Sequence, residues 1–169
     1  MSLLFYRREA DAAPVDAPPP DVTLSPWRPA AQGLPRLGPW WPQNMAWWAF
    51  DRSGLFADRR FCELTLRREG RTVHRLILTP RWPRFPFMAP GDLQVGDVWT
   101  APAQRGRGLA RAGLAEAVRQ AGGARLWYLV EAGNIPSIRL AETASFRLAG
   151  RGLRTRPLGL GVLGAYRLD

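Results

Sequence analysis

The chain has 169 residues, a length that fits one folded domain and leaves no room for a second catalytic domain. Hydrophobic residues make up 46% of the sequence and eight residues are Trp, which predicts a globular core. The 24 strongly basic side chains are all Arg, they outnumber the 14 acidic ones, and the formal net charge is +10. That excess attracts anionic ligands, but the arginines are scattered along the chain instead of forming one tract. We therefore expect no dedicated nucleic-acid partner.

The sequence also predicts where the protein resides. No apolar run approaches the roughly 20 residues that a membrane-spanning helix needs, and the first residues lack the features of a secretory signal. The single Cys62 cannot form an internal disulfide, which agrees with a reducing compartment. We expect a cytoplasmic protein with no membrane partner. One Cys and one His cannot build a zinc site, so no metal is expected either.

The first 20 residues are rich in Ala, Pro and Asp and end in three consecutive prolines. Such a composition offers little to bury. It predicts a flexible Pro/Ala-rich N-terminal tail over residues 1–20, followed by a single domain over residues 21–169. Alternating apolar residues within 21–29 predict the first strand of that domain.

A helix and a hairpin are predicted next. Asn44 is placed to cap a helix over residues 45–56, whose apolar residues roughly follow helical spacing. Two strand-like segments follow, over residues 61–68 and 72–79. The Glu69-Gly70-Arg71 turn between them predicts a hairpin, because Gly supplies the positive φ of a tight turn. Prolines interleaved with aromatic residues then predict a stiff loop up to Pro90.

The second half of the domain alternates strands and helices. A strand over residues 93–100 enters a glycine-rich segment, and a helix over residues 107–121 leaves it with its apolar residues on one face. A continuous apolar strand over residues 124–131 is typical of a sheet centre. The remaining predictions are a helix over 136–144 and closing strands through 148–151 and 162–168. The strand, helix, strand succession requires a right-handed crossover and a locally parallel pair of strands.

The glycine-rich segment reads Arg105-Gly106-Arg107-Gly108-Leu109-Ala110 and lies between a predicted strand and a predicted helix. Glycines let several backbone N–H groups point into one concavity, and the positive end of the following helix favours an anion there. The segment therefore predicts a cradle for phosphate, and a pyrophosphate is the natural ligand.

Two motifs resemble the GNAT superfamily of N-acetyltransferases. The hexamer fits the family's acetyl-CoA-binding pattern, which is Gln or Arg, two residues, Gly, one residue, then Gly or Ala. Downstream, Asn134 with the helix behind it and Phe146 are similar to the asparagine-led helix and the Gly-Phe strand start of those enzymes. The resemblance implies an α/β (α+β) fold: a mixed, mostly antiparallel central sheet with helices on both faces and a parallel βαβ unit that binds the cofactor.

The resemblance also implies a cofactor site for acetyl-CoA, used as a cosubstrate. Main-chain amides of the hexamer would hold the pyrophosphate, and the end of the preceding strand would pair with the pantetheine arm. The implied cofactor-binding residues are Val98, Trp99, Thr100, Arg105, Gly106, Arg107, Gly108, Leu109, Ala110, Asn134 and Ser137. The two arginines could equally be ordinary solvated residues at a helix start.

The catalytic groups are less closely matched to the family. Asp97 is the leading general base, lying on its strand between Val95 and Trp99, and it could instead bond an Arg or cap a neighbouring strand. Asp92 and Glu63 are weaker candidates, and His74 suits a structural role better than a catalytic one. Ala141 stands where many of these enzymes carry the tyrosine that protonates the departing thiolate, and Ser145 replaces a usual Gly. Tyr128 is the leading substitute acid, with Tyr166 or water as alternatives.

The acceptor side is predicted from aromatic residues. Trp47, Trp48, Phe85 and Phe87 could line a pocket for the acceptor, or they could simply pack as core. The leading hypothesis is transfer of an acetyl group to the primary amine of a small molecule or peptide. A catalytically silent acyl-CoA-binding sensor and a basic RNA-associated protein are the alternatives. A homodimer is compatible with the sequence.

Overall fold

The computed structural model describes residues 2–9, 21–155 and 164–169. Within them one sheet has eight strands in the order β2-β3-β4-β5-β6-β1-β7-β8. Every neighbouring pair is antiparallel except β5 and β6, which are parallel. The elements are β1 Leu3–Arg8, β2 Thr23–Trp27, α1 Pro29–Gln32, α2 Trp41–Arg52, β3 Cys62–Arg68, β4 Arg71–Pro80, β5 Leu93–Thr100, α3 Leu109–Ala121, β6 Leu126–Glu131, α4 Ile135–Thr143, β7 Arg147–Arg154 and β8 Tyr166–Leu168. The predicted mixed, mostly antiparallel sheet with a parallel unit is confirmed.

The predicted hairpin joins β3 and β4 through a two-residue turn. Arg68 pairs with Arg71, and both residues between them have positive φ, 49° at Glu69 and 74° at Gly70. Two consecutive left-handed residues match the twist of the flanking strands, and Gly adopts that conformation at little cost. The local sequence therefore fixes this connection.

One face of the sheet is covered by α3 and α4. The buried side of α3 carries Leu114, Ala117 and Ala121, which pack with residues of the central strands such as Leu76 and Val95. Ala141 and Ala144 of the α4 region join the same core. Small residues on both helices let them lie close to the sheet.

Aromatic side chains cover the opposite face. Trp47 of α2 stacks on Phe61 with ring centroids 5.6 Å apart, and Phe56 stacks on Phe61 at the same separation. Farther along the face, the loop between β4 and β5 packs Phe85 and Met88 against β1 and β6. Helices therefore lie on both faces, as predicted.

The prediction of a flexible tail over residues 1–20 is wrong for Leu3–Arg8. These residues form β1, which pairs antiparallel with both β6 and β7 inside the sheet. Phe5 is fully buried, and Tyr6 donates a hydrogen bond to Glu142 Oε1 at 3.0 Å. The apolar run at the start supplies the buried surface that the Pro-rich stretch lacks. Residues 10–20 of the predicted tail lie outside the described residues.

The prediction that Asn44 caps α2 is also wrong. The helix begins at Trp41, so Asn44 lies inside its first turn, where it is buried and donates to Glu63 Oε2 at 3.0 Å. Pro42 lies at the start of the helix, where its fixed φ favours helical backbone. Of the strand predicted over 162–168, Tyr166–Leu168 is observed and 162–163 lie outside the described residues.

No helix in the described part of the chain is long and apolar enough to cross a membrane.

Replacing Phe5 with Ala tests the structural role of β1. Phe5 is fully buried and its ring lies 5.0 Å from that of Phe87, so we expect the free energy of unfolding to fall by about 3–5 kcal/mol. Arg7→Ala on the same strand is the control, because Arg7 is exposed and should change stability by less than about 1 kcal/mol. Urea unfolding followed by circular dichroism measures both. Equal, small effects would mean that β1 contributes little to the core.

Candidate active site

The parallel pair β5 and β6 stays together for only a short distance. Leu93, Gln94 and Val95 pair with Leu126, Trp127 and Tyr128, and the ladder then ends. Beyond that point the strands leave a gap, here called the interstrand cleft, with a volume of about 290 Å³. Its lining residues are Val95, Gly96, Asp97, Val98, Tyr128, Leu129, Val130, Glu131, Asn134 and Ser137.

A bulge in β5 lies at this gap. Ile77 of β4 pairs with Gly96, and Arg75 pairs with Trp99. Between these two pairs, β5 therefore contains one more residue than β4. Asp97 lies in the bulge and has φ of 49°, a left-handed conformation unusual for a non-glycine residue. The bulge therefore reverses which face the following side chains occupy.

The predicted cradle, residues 105–110, follows β5 through a short 3₁₀ turn. Gly106 and Gly108 both have φ of 75°, and a Cβ built on either would meet no atom within 4 Å. The first hydrogen bond of α3 runs from Ala112 N to Gly108 O at 3.0 Å. Amides that precede it in the first turn therefore have no acceptor one turn earlier. The turn is open and presents backbone donors, as a phosphate cradle requires.

Side chains of the cradle divide into anchored and exposed ones. Leu109 is buried and holds the start of α3 against the sheet, and Ala110 is half-buried. Arg105 and Arg107 are exposed, and Arg105 donates from Nε to Thr100 O at 3.4 Å. Two cationic side chains thus border the open turn.

A second cavity of about 430 Å³, here called the aromatic pocket, lies on the face that carries α2 and the loop between β4 and β5. Its lining residues are Leu3, Gln43, Trp47, Ile77, Thr79, Trp82, Arg84, Phe85, Gln94, Gly96, Asp97, Leu129, Glu131, Arg154 and Tyr166. Four of these, Gly96, Asp97, Leu129 and Glu131, also line the interstrand cleft. The two cavities therefore meet where β5 and β6 part.

Asp97 lies at this shared wall, but it is not enclosed between Val95 and Trp99 as expected. The bulge separates those two side chains: Val95 packs in the core with α3, whereas Trp99 contacts Trp40 on the other face. The Asp97 carboxylate is exposed and accepts a hydrogen bond from Gln43 Nε2 of α2.

The hydrogen bond between Gln43 and Asp97 is connected to a buried polar network. Arg75 contacts Gln43 Oε1 at 3.4 Å and forms an ion pair with Glu63 at 2.8 Å, with both partners buried. Asn44 donates to the same carboxylate. Glu63 is thus committed to Arg75 and Asn44, which gives this weaker base candidate a structural role.

Asp92, the other weaker candidate for the general base, also has its carboxylate bonded to neighbouring groups. It is buried and accepts hydrogen bonds from Trp127 Nε1 at 2.8 Å and from Ala89 N at 3.0 Å. Arg125 lies 3.9 Å from the same carboxylate oxygen. These partners anchor the loop between β4 and β5 to β6.

Tyr128 is placed at the cleft on the face covered by α4. Its ring packs edge-on against Phe146, with centroids 5.9 Å apart. Burial raises the pKa of the Tyr128 hydroxyl, and a hydrogen bond with the Ser137 side chain acts in the opposite direction. Asn134 accepts from Ser137 N at 3.2 Å and caps α4. The structure therefore brings three predicted residues, Tyr128, Asn134 and Ser137, to one wall.

The family's tyrosine position behaves differently. Ala141 lies on the buried side of α4 and is completely buried in the core. Its carbonyl accepts a hydrogen bond from Phe146 N at 3.0 Å. Ser145, at the position of the usual Gly, has φ of 63° just past the helix end. That left-handed site explains why Gly is preferred there.

The four predicted acceptor residues are divided by the structure. Trp47 and Phe85 line the aromatic pocket. Phe87 instead packs between Phe5 and Trp127, with ring centroids 5.0 and 4.9 Å away. Trp48 is half-buried and is not among the residues lining the pocket.

The sequence analysis missed several residues that line the site. Gln43 and Arg75 reach the bulge only through the packing of α2 on the sheet. Arg84, Arg154 and Glu131 line one pocket only because the strand order and the loop between β4 and β5 bring them there. Each lies far from the glycine-rich motif in sequence. A charged residue at a strand end, such as Glu131, is the one signal that could have been noticed.

No group of three or more His, Cys, Asp and Glu side chains in the described ranges is arranged to hold a metal ion.

The sequence of residues 26–146, well over half of the chain, matches the family model described as Acetyltransferase (GNAT) family. The chain belongs to the GNAT acetyltransferase family, whose members transfer an acyl group from acyl-CoA to an amine. No curated protein sequence matches the chain.

Solved structures show the same fold. A GNAT-family protein from Novosphingobium aromaticivorans is 23% identical with a TM-score of 0.56, and the match covers 89% of this chain and 60% of that one. A GCN5-related N-acetyltransferase from Sphaerobacter thermophilus is 19% identical, with a TM-score of 0.60 and coverage of 89% and 49%. A ribosomal-protein-alanine N-acetyltransferase from Brucella melitensis is 28% identical, with a TM-score of 0.53 and coverage of 67% and 65%. The chain therefore spans between 49% and 60% of the length of the first two.

His74 lies between the end of β5 and α3. It is fully buried, its Nδ1 lies 2.8 Å from Thr100 Oγ1, and a Cβ on Gly113 of α3 would lie 2.2 Å from its Nε2. Only a glycine at position 113 lets α3 lie this close to the imidazole. His74 lines neither the cleft nor the aromatic pocket, and it packs between Thr100 and α3.

Burial lowers the pKa of His74 to about 4, below its ordinary value of 6.5. The unfolded chain therefore binds more protons between pH 6.5 and 4, and stability should fall as the pH falls through that window, by about 3 kcal/mol in total. His74→Leu removes the titration, so its stability should depend less steeply on pH. Urea unfolding at pH 7, 6 and 5 compares the two proteins. Parallel pH curves would contradict the prediction.

Proposed function

We propose that this protein transfers an acetyl group from acetyl-CoA to a primary amine, by direct attack of the amine in a ternary complex. The observation that carries the proposal is that the interstrand cleft and the cradle lie one after the other along β5. An open, glycine-lined turn at the start of α3 follows the same strand that loses its parallel partner midway. When bound, acetyl-CoA supplies an acyl thioester that an amine can attack.

The cradle suits the linked phosphates of the cofactor. Backbone amides at the start of α3 and the positive end of the helix dipole both favour an anion. Gly106 and Gly108 leave space beside those amides, and the exposed Arg105 and Arg107 add positive charge. Together the four residues offer shape, donors and charge for a pyrophosphate.

The interstrand cleft suits an extended arm. Val98, Trp99 and Thr100 lie beyond the last pair that β5 makes with β6, so this edge of β5 has no strand beside it in the described sheet. The amides and carbonyls of such an edge can pair with an extended ligand, as they would with another strand. Asn134 and Ser137 face the same cleft from α4.

Asp97 is our candidate for the general base. It lies on the wall that the cleft shares with the aromatic pocket, where an incoming amine would meet the acyl group. Gln43 donates to its carboxylate, and Arg75 contacts Gln43 in turn. The hydrogen bond from Gln43 orients the Asp97 carboxylate, which would otherwise rotate freely because the residue is exposed.

Tyr128 is our candidate for the general acid. Burial raises the pKa of its hydroxyl, so the proton stays on the oxygen at neutral pH and is available for donation. A CoA thiolate is already a tolerable leaving group near pH 7. Loss of the hydroxyl should therefore slow the reaction without abolishing it.

A catalytically silent acyl-CoA-binding sensor is the second candidate, and it is favoured by Ala141, which provides no proton donor. Both candidates bind acetyl-CoA, but only an enzyme releases free thiol in the presence of amines. The amine panel should include a peptide with N-terminal alanine, because the 28% identical Brucella melitensis relative is named a ribosomal-protein-alanine N-acetyltransferase. If none of the amines in the panel causes thiol release, the sensor is favoured.

Gly108→Ala tests the cradle. The new methyl group would occupy the open side of the turn, and we expect the Kd for acetyl-CoA to rise at least about tenfold. Gly122→Ala is a matched control, because Gly122 caps the other end of α3, also has positive φ, and also has open space at its Cβ position. Both variants carry similar backbone strain, of about 1 kcal/mol. Isothermal calorimetry should show weakened binding in the first variant only, and equal weakening in both would contradict a cradle at residue 108.

Asp97→Asn tests the base. Asn tolerates the left-handed conformation at this bulge as well as Asp does, so the backbone should be unchanged. We expect kcat to fall about 100-fold with an unaltered Kd for acetyl-CoA, because a general base contributes at least that much. Gln43→Leu, which removes only the supporting hydrogen bond, should have a smaller effect on kcat. A wild-type kcat in Asp97→Asn would place the base elsewhere.

A further inference from the structure

One end of the aromatic pocket carries two carboxylates. Asp97 of β5 and Glu131 of β6 line both this pocket and the interstrand cleft, so they lie where the two cavities meet. Both residues are exposed. The Asp97 carboxylate accepts a hydrogen bond from Gln43, and a carboxylate can accept several donors at once. This end of the pocket therefore favours a positively charged group that donates hydrogen bonds.

Gln94 places a third oxygen beside the carboxylates. The residue is only 7% exposed, and its Nε2 donates a hydrogen bond to Val95 O. Its Oε1 accepts no hydrogen bond from the described residues. This oxygen lies in the space that Gly96 leaves open, because a Cβ at position 96 would be 2.9 Å from it, and both residues line the pocket. Since buried polar groups normally have a partner, this oxygen is suited to a donor on the ligand.

Aromatic rings line the pocket away from that junction. The four aromatic residues that line the pocket but not the cleft are Trp47, Trp82, Phe85 and Tyr166. In that order each ring contacts the next, with centroids 6.1, 5.9 and 5.4 Å apart. The guanidinium groups of Arg84 and Arg154, which also line the pocket, lie 5.5 and 5.6 Å from the Trp82 and Tyr166 rings. A guanidinium in that position contributes a flat surface, and stacking on it requires no free N–H donor.

Three oxygen acceptors match the three N–H bonds of a primary ammonium group, and the rings match a flat apolar body. We infer that the acceptor of this enzyme is a primary amine that carries an aromatic ring, and that Gln94 binds its nitrogen together with Asp97 and Glu131. The ammonium group binds first, and Asp97 then takes one proton from the nitrogen. The inference rests on the proposed function for the transfer step. The preference of the pocket for such a ligand rests on its lining residues alone.

Three probes that are all cationic at neutral pH test the inference. They are 2-phenylethylamine, 2-methoxyethylamine, which lacks the ring, and N,N-dimethyl-2-phenylethylamine, which keeps the ring and the charge but has a single N–H bond. Their binding is measured by calorimetry on the full chain saturated with CoA, which cannot transfer an acetyl group. We expect 2-phenylethylamine to bind about tenfold more tightly than either of the other two probes.

Gln94→Met removes the third acceptor and keeps the length of the side chain. The Kd for 2-phenylethylamine should rise about tenfold, and its advantage over the dimethyl probe should fall below about threefold, whereas the Kd for acetyl-CoA should not change. Gly96→Ala is a second variant, because its Cβ displaces Gln94 Oε1 at a position without positive φ. Gln120→Met is the matched control, because Gln120 is half-buried, donates to Glu116, and lines neither cavity. Thermal unfolding confirms that the variants fold.

Transfer to the two primary amines, measured as thiol release with acetyl-CoA, separates the two proposals. Preferential binding of 2-phenylethylamine without transfer to any amine would leave the aromatic amine site standing and overturn the proposed acetyltransferase activity. Transfer to 2-methoxyethylamine with no preference for the ring in binding would do the reverse. If Gln94→Met and Gly96→Ala weaken binding no more than Gln120→Met does, the role of Gln94 is overturned.

Discussion

The early parting of β5 and β6 is the constraint on which the candidate site depends. Three pairs of residues hold the strands together, and α3 ties them covalently, so the gap that follows has rigid sides. On one face it is bordered by α4, and on the other it shares four lining residues with the aromatic pocket. A fully paired parallel ladder would leave no gap between β5 and β6 at this point. The gap therefore brings cavities on the two faces of one sheet next to each other.

The bulge at Asp97 complements the gap. An extra residue in β5 strengthens the local twist and turns the strand edge away from β6. It also shifts the alternation of side chains, so that Trp99 lies with Trp40 and Arg75 on the face of α2 instead of with Val95 in the core. The cost of a left-handed aspartate is of order 1 kcal/mol. The buried pair of Glu63 and Arg75 fixes the helix whose Gln43 contacts that aspartate, which keeps the strained residue in place.

How much the sequence predicted depends on the range of the interactions involved. The hairpin at Gly70, the strand over 93–100 and the helix after the cradle follow from turn chemistry and periodicity within a few residues, and all three are observed. The role of Leu3–Arg8 could not be found in this way, because its partners lie at the other end of the chain and the Pro-rich stretch beside it dominates the local composition. Asn44 fits a capping residue by type, but the buried Glu63 decides its environment.

The position of β1 between β6 and β7 has a consequence for synthesis of the protein. Leu3–Arg8 leaves the ribosome long before Leu126–Glu131 and Arg147–Arg154, the two strands that flank it. These pairs therefore cannot form until residues 126–154 have emerged, and the apolar segment stays exposed in the meantime. Pairing over such a long sequence separation slows folding and leaves the nascent chain open to aggregation. The early strand can thus pair only after its two neighbours have been made, and chaperone dependence during translation would be its cellular signature.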